Sequence, residues 1–247
     1  MKYLKMRYYR FILILLLIGI FGSACSAAGK LPTVRNYNPP VLKVEGISPQ
    51  TAGCEANEYS QIICAPESPL GQLDCSELAI AGDYLGGLEP DLPLGLCLVV
   101  QPPGNTLPSG EYIYRDGCML PRYIRYVIQQ DGQLQVIHSL DELQETFAPI
   151  TSENEAFSYA LAATGLSAYY GQIATKGWRY FVNQIEDTHV VSTDKGYLVY
   201  LYDYQLCGCG PHTTEYVEVL VTSNGDLEET GRVPAFEDPE QDGLCVD

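Results

Sequence analysis

Residues 197–222, YLVYLYDYQLCGCGPHTTEYVEVLVT, set the character of this chain. Tyr197 to Tyr204 is rich in aromatic and branched side chains and reads as a strand. Within it Leu198, Tyr200, Tyr202 and Tyr204 fall on one face, because successive side chains of a strand point to opposite sides. Thr214 to Thr222 is a second strand, with Val217, Val219 and Val221 alternating on one face. Asp194-Lys195-Gly196 and Asn224-Gly225 supply the flanking turns.

Working back from this pair, Tyr123 to Gln130 and Gln133 to His138 flank Asp131-Gly132, which predicts a tight hairpin. Ser139 with Glu142, and Ser152 with Glu155, place a capping hydroxyl three residues before a glutamate. They predict a short helix to Phe147, stopped by Pro149, and a second from about Glu153 to Thr164, stopped by Gly165. Ala156, Phe157, Ala160, Leu161 and Ala163 share a stripe at helical spacing, suited to close packing on a sheet. Trp178 to Val182 and His189 to Ser192 are further strands. The expected fold is α+β: an antiparallel sheet with two short helices on one face, preceded by a disulfide-rich, loop-dominated segment.

That segment, residues 51–118, holds five cysteines among turn-forming Pro and Gly, and one strong apolar run, Leu94 to Val100. It reads as a stapled subdomain, followed by an α+β domain over 119–225. Residues 226–247 carry eight acids against Arg232 alone and read as an acidic C-terminal tail pinned by Cys245. EDPEQDG lacks the alternating register of an EF-hand loop.

At the other end, MKYLKMRYYR carries four cations and no acid, and Phe11 to Phe21 is an apolar run of eleven. A bilayer-spanning helix needs roughly 20 residues. A basic start, a short apolar core and then small residues describe a signal peptide, here residues 1–24. Gly22-Ser23-Ala24 followed at once by Cys25 resembles the lipobox of bacterial lipoproteins, with Gly22 where that family usually has Leu. The resemblance covers residues 1–25, and the rest of the chain resembles no named family. It implies cleavage before Cys25, diacylglycerol on its thiol, and often a further acyl chain such as palmitate on the new amino terminus. The product would be anchored in a bacterial cell envelope, facing outside the cytoplasm. Residues 25–50, with Pro39-Pro40 and scattered small residues, read as the lipidated N-terminus and a flexible tether.

Nine cysteines become eight once Cys25 carries lipid: Cys54, Cys64, Cys75, Cys97, Cys118, Cys207, Cys209 and Cys245. An even set in an exported chain suits a disulfide framework, and eight cysteines allow about 105 pairings. Removing the signal takes four of 14 cations and none of 31 acids, so ten face 31 and the formal charge falls from −17 to −21. Such a chain repels nucleic acid.

Two site readings stand beside this framework. Cys207, Cys209 and His212 lie within six residues at a strand end, and copper or zinc would suit thiolate and imidazole donors. The alternative is that each cysteine bridges to a different element, one to Cys245 and one to the stapled subdomain. Tyr200, Tyr202 and Tyr204 offer an aromatic face for a glycan, a peptide or an envelope protein, or serve as the half-buried outer face of a sheet. Trp178 reads as a core anchor. No Gly-x-Ser-x-Gly, His-Glu-x-x-His or phosphate loop is present. The expected function is therefore a membrane-anchored, non-catalytic binding module without a cofactor, with metal handling as the alternative.

Intact-mass measurement of native material is expected to show a chain beginning at Cys25 with acyl chains attached. An unacylated residue 25 refutes the lipoprotein reading.

Overall fold

Antiparallel pairing builds most of this molecule, seen in a computed structural model that describes residues 31–101 and 104–246. The expected signal peptide and its lipid-bearing Cys25 lie outside the described residues. The first half contains β1 (Thr33–Arg35), α1 (Pro49–Ala52), β2 (Cys54–Ala56), β3 (Ile62–Cys64), β4 (Glu77–Ile80), β5 (Leu94–Val100), β6 (Tyr114–Asp116), β7 (Arg122–Gln130) and β8 (Gln133–Ile137). Then come α2 (Leu140–Phe147) and α3 (Glu153–Thr164). The second half contains β9 (Arg179–Tyr180), β10 (Gln184–Glu186), β11 (His189–Thr193), β12 (Gly196–Tyr204), β13 (Gly208–Cys209), β14 (Thr213–Val221), β15 (Leu227–Glu237) and β16 (Cys245–Val246).

One sheet runs β2-β3-β4-β5-β7-β6, with β8 also on β7, and the other runs β11-β12-β14-β15-β9. The hairpin expected at Asp131-Gly132 joins β7 to β8, with φ of 52° and 76° at its two turn residues. Both helix starts are built as their spacing predicts. Ser139 Oγ accepts from Glu142 N at 3.2 Å, and Ser152 Oγ accepts from Glu155 N at 3.2 Å. Each glutamate reaches back, Glu142 to His138 N and Glu155 to Thr151 N.

The expected placement of both helices on one face of a sheet needs correction for α3. Every residue from Glu155 to Ala163 is buried, not only the predicted stripe. The second sheet covers one side through Val199, Leu201, Val217 and Val219 in a shared core. On the other side Ser158 Oγ donates to Tyr84 O and accepts from Gly87 N, while Tyr126 of β7 donates to Ala162 O at 3.0 Å. A helix that is apolar all round is covered all round. Among the described residues no helix is long and apolar enough to cross a membrane.

The boundary expected at residue 118 runs through a sheet, because β5 pairs with β7 from Leu94↔Ile128 to Val100↔Arg122. The acidic tail expected from residue 226 is mostly strand: β15 pairs with β14 over nine positions. Glu228 and Glu229 sit at exposed positions, and buried Glu237 is met by Thr213 Oγ1 and Arg179, so backbone pairing and the burial of Ala235 and Phe236 outweigh the charge. The tether expected up to residue 50 is, from Pro32 onward, part of the folded body. There β1 pairs in parallel with β10, and Val44 and Ile47 enter the core.

Asp187, with no exposed surface, holds this strap in place. Its carboxylate accepts from Asn36 Nδ2 (3.2 Å), Tyr37 N (3.1 Å), Gly171 N (2.9 Å) and Gln172 N (2.9 Å). The left-handed φ of 68° at Gly171 lets two successive N–H groups point at one anion. Burial pushes the carboxyl up, but the Gln172, Gly171 and Tyr37 N–H groups and the Asn36 amide outweigh it and hold it below its ordinary value.

The disulfides are Cys54–Cys64, Cys75–Cys97, Cys118–Cys207 and Cys209–Cys245. Cys54 faces Cys64 across β2 and β3, and Cys209 faces Cys245 across β13 and β16. Cys118–Cys207 alone joins the first sheet to the second, closing 89 residues against ten for Cys54–Cys64.

Chain entropy predicts that Cys118→Ser/Cys207→Ser costs about 4 to 5 kcal/mol and Cys54→Ser/Cys64→Ser about 3. Denaturant melts that reverse this order refute the account. The lowered carboxyl of Asp187 means its ionised form stabilises the fold above the ordinary carboxyl range, and that contribution is lost as pH falls through the lowered folded value. Asp187→Asn is therefore expected to lose about 2 kcal/mol at neutral pH. In urea melts the deficit should shrink as pH falls below about 4; a deficit constant with pH contradicts it.

Candidate functional site

The segment after α3 is held at several points and presents aromatic rings. Ser167 pairs with Tyr202 of β12 through both backbone groups, at 2.8 and 2.9 Å. Tyr169 N donates to Thr188 Oγ1 at 3.0 Å, and Thr188 N donates to Tyr169 O at 2.9 Å. Gly171 and Gln172 are fixed by Asp187, as described. Gly165, φ 69°, ends the helix so close to Tyr114 that an added Cβ would lie 2.5 Å from its ring. These constraints place Tyr169 and Tyr170 in the wall of a cleft of about 610 Å³.

Trp178 and Phe236 line the same cleft, stacked with centroids 5.1 Å apart and planes inclined by 27°. Tyr204, at the end of β12, contributes another ring, and its hydroxyl donates to Gln241 Oε1. Beneath lies Tyr202, fully buried, stacked on Tyr169 at 4.9 Å and donating its hydroxyl to Glu186 O. Burial pushes the Tyr202 and Tyr170 phenols far up, so both stay protonated hydrogen-bond donors. Polar groups at the cleft include Thr175, Gln172 and Asp238. Asp238 is engaged, accepting from Glu240 N and Gln241 Nε2. Gln172 Nε2 is buried without a hydrogen-bond partner among the described residues. A buried donor left unpaired costs about 1–3 kcal/mol.

A second cleft, of about 680 Å³, shares Tyr169 and Tyr204 with the first and opens between β6 and the second sheet. It is the more polar of the two. Arg232 stands there among Asp203 (2.6 Å), Glu215 (2.9 Å) and Glu229 (2.8 Å). Hydrogen bonds that the guanidinium donates to Glu229, and to Glu215 and Asp203, outweigh the effect of burial and hold it firmly protonated. Leu206 lines this cleft beside the Cys118–Cys207 bridge.

The site residues expected from sequence are distributed differently. The face of Tyr200, Tyr202 and Tyr204 is divided among three environments. Tyr200 stacks on His189 at 4.2 Å, and His189 stacks on Tyr37 at 4.2 Å, with the Arg35 guanidinium 5.0 Å from the Tyr37 ring. Tyr202 is core and edges only the second cleft, and Tyr204 lines both clefts.

The set Cys207, Cys209 and His212 is taken apart by bonding. Cys207 is joined to Cys118 and Cys209 to Cys245, which is the bridging alternative in each case. His212 is buried, with Nδ1 2.9 Å from Gln205 O and Nε2 3.1 Å from Leu244 O. Its ring fastens the C-terminal segment beneath the cleft, and neither nitrogen is free to take a metal. Among the described residues no group of three or more His, Cys, Asp or Glu is arranged to hold a metal ion.

Sequence reasoning missed Tyr169 and Tyr170 and left Phe236 inside the tail. The doublet Tyr169-Tyr170 before Gly171, in a stretch without periodicity, was the available signal. Trp178 anchors on Phe236 as expected, but it also faces the cleft. No family model, curated protein or solved structure matches this chain.

Proposed function

We propose that this chain is an exported, lipid-anchored binding module of a bacterial cell envelope, and that its ligand seat is the cleft formed by Tyr169, Trp178, Tyr204 and Phe236. The observation that carries the reading is the rigidity of those rings. Trp178 is backed by Phe236, Tyr169 by Tyr202, and Tyr204 is tied to Gln241. Rings already fixed lose little freedom on binding and offer large apolar faces with polar edges. The volume lies within the range of small-ligand sites, roughly 300–1,000 Å³. Four disulfides support export, since such bonds persist in oxidising compartments. The lipobox-like residues before Cys25 support the anchor.

Trp178 is the one tryptophan of the chain, so indole emission reports from this cleft. Soluble envelope fragments added to the detergent-purified protein are expected to change that emission saturably and to be recovered chemically unaltered. Followed by calorimetry, which does not need the indole, Trp178→Ala and Tyr204→Ala should each weaken binding tenfold or more, about 1.4 kcal/mol or above. Binding indifferent to both substitutions, or a ligand returned cleaved, removes this reading.

A further inference from the structure

We infer that the ligand is a neutral oligosaccharide whose sugar rings lie on Trp178 and Tyr169 and whose chain continues past Tyr204 into the second cleft; the inference rests on the aromatic cleft being the ligand seat. Charge is the first discriminator. Among the described residues no Lys or Arg lines the aromatic cleft, its carboxylate Asp238 is engaged by Glu240 N and Gln241 Nε2, and both nitrogens of His212 face carbonyl oxygens. An anionic ligand finds no Lys or Arg there, and the chain's net negative charge adds repulsion. A cationic ligand finds no unengaged carboxylate.

Backbone chemistry is the second. A bound extended peptide gains affinity by adding a strand to an open row of N–H and C=O groups. Along this wall the N–H groups of Tyr169, Gly171, Gln172 and Thr175 are already held by Thr188, Asp187, Asp187 and Tyr180. With these four held, the wall offers no continuous row of N–H groups, and a ligand meets chiefly side chains: flat aromatic faces, the Thr175 hydroxyl and the unpartnered Gln172 amide. A pyranose ring presents C–H groups on its face and hydroxyls at its edge. It can cover an indole and, with a rotation of the Gln172 side chain, accept the orphan N–H.

Continuity is the third. Tyr169 and Tyr204 line both clefts, so the two adjoin, and a linear chain of rings that follows these side chains reaches the second. Beyond them, Ser167 and Arg115 offer hydroxyl and guanidinium donors to later rings. A single monosaccharide would leave that second cleft empty.

Full-length protein in detergent should be titrated with cello-, chito- and malto-oligosaccharides of two to six units and with a pool of neutral decapeptides, reading Trp178 emission and heat. The expected result is binding of at least one saccharide series, with affinity rising at least tenfold from two units to the longest. Trp178→Phe, which keeps a ring, should retain saccharide heat, whereas Trp178→Ala should lose it tenfold or more. Arg115→Ala, in the second cleft, should reduce the gain with length. Peptide binding that Trp178→Ala removes, with no response to any saccharide, overturns the saccharide assignment and leaves the ligand seat standing. No Trp178-dependent binding of either class overturns both. Saccharide affinity that is flat with length overturns the two-cleft path.

Discussion

A carboxylate without exposed surface, Asp187, ties together segments separated by about 150 residues of chain. It receives Asn36 and Tyr37 from the N-terminal strap and Gly171 and Gln172 from the cleft wall. Burying an ionised acid is costly unless hydrogen bonds replace its water. Here four donors do so, and their net effect keeps the group ionised. The strap, the parallel pair of β1 with β10, and the position of Tyr169 and Tyr170 all depend on that one anion.

Around this point the body is organised by α3. Its small residues admit close neighbours on every side, so two antiparallel sheets share one core through it. Cys118–Cys207 then joins the sheets covalently beside the second cleft. A binding surface gains from both features. The aromatic rings are held by packing from behind, and the segments that carry them are prevented from drifting apart.

Where function is concerned, bonding reverses the initial emphasis. The cysteine- and histidine-rich turn at residues 207–212 carries the densest chemistry in the sequence, yet in the fold it is a fastening. Two sulfurs are oxidised and the imidazole is packed between two carbonyl oxygens. The rings that form the cleft come from a segment with no periodicity and from a strand concealed within an acidic run. Of the expected tyrosine face, Tyr204 alone enters the aromatic cleft.

By itself, the sequence determined what depends on a few neighbouring residues: the Asp131-Gly132 hairpin, the Ser139 and Ser152 caps, the end of α3 at Gly165, and the alternation of β12 and β14. It also determined that eight cysteines would suit pairing. These signals act over one turn of helix or one step of a strand, so they survive without knowledge of the rest. Only the tertiary structure decided which cysteines meet, that residues 32–50 fold against the body, that β15 takes up the acidic segment, and that Tyr169, Trp178, Tyr204 and Phe236 converge. Each of those outcomes is set by sheet register and by burial between elements far apart in the chain, and no local pattern encodes either.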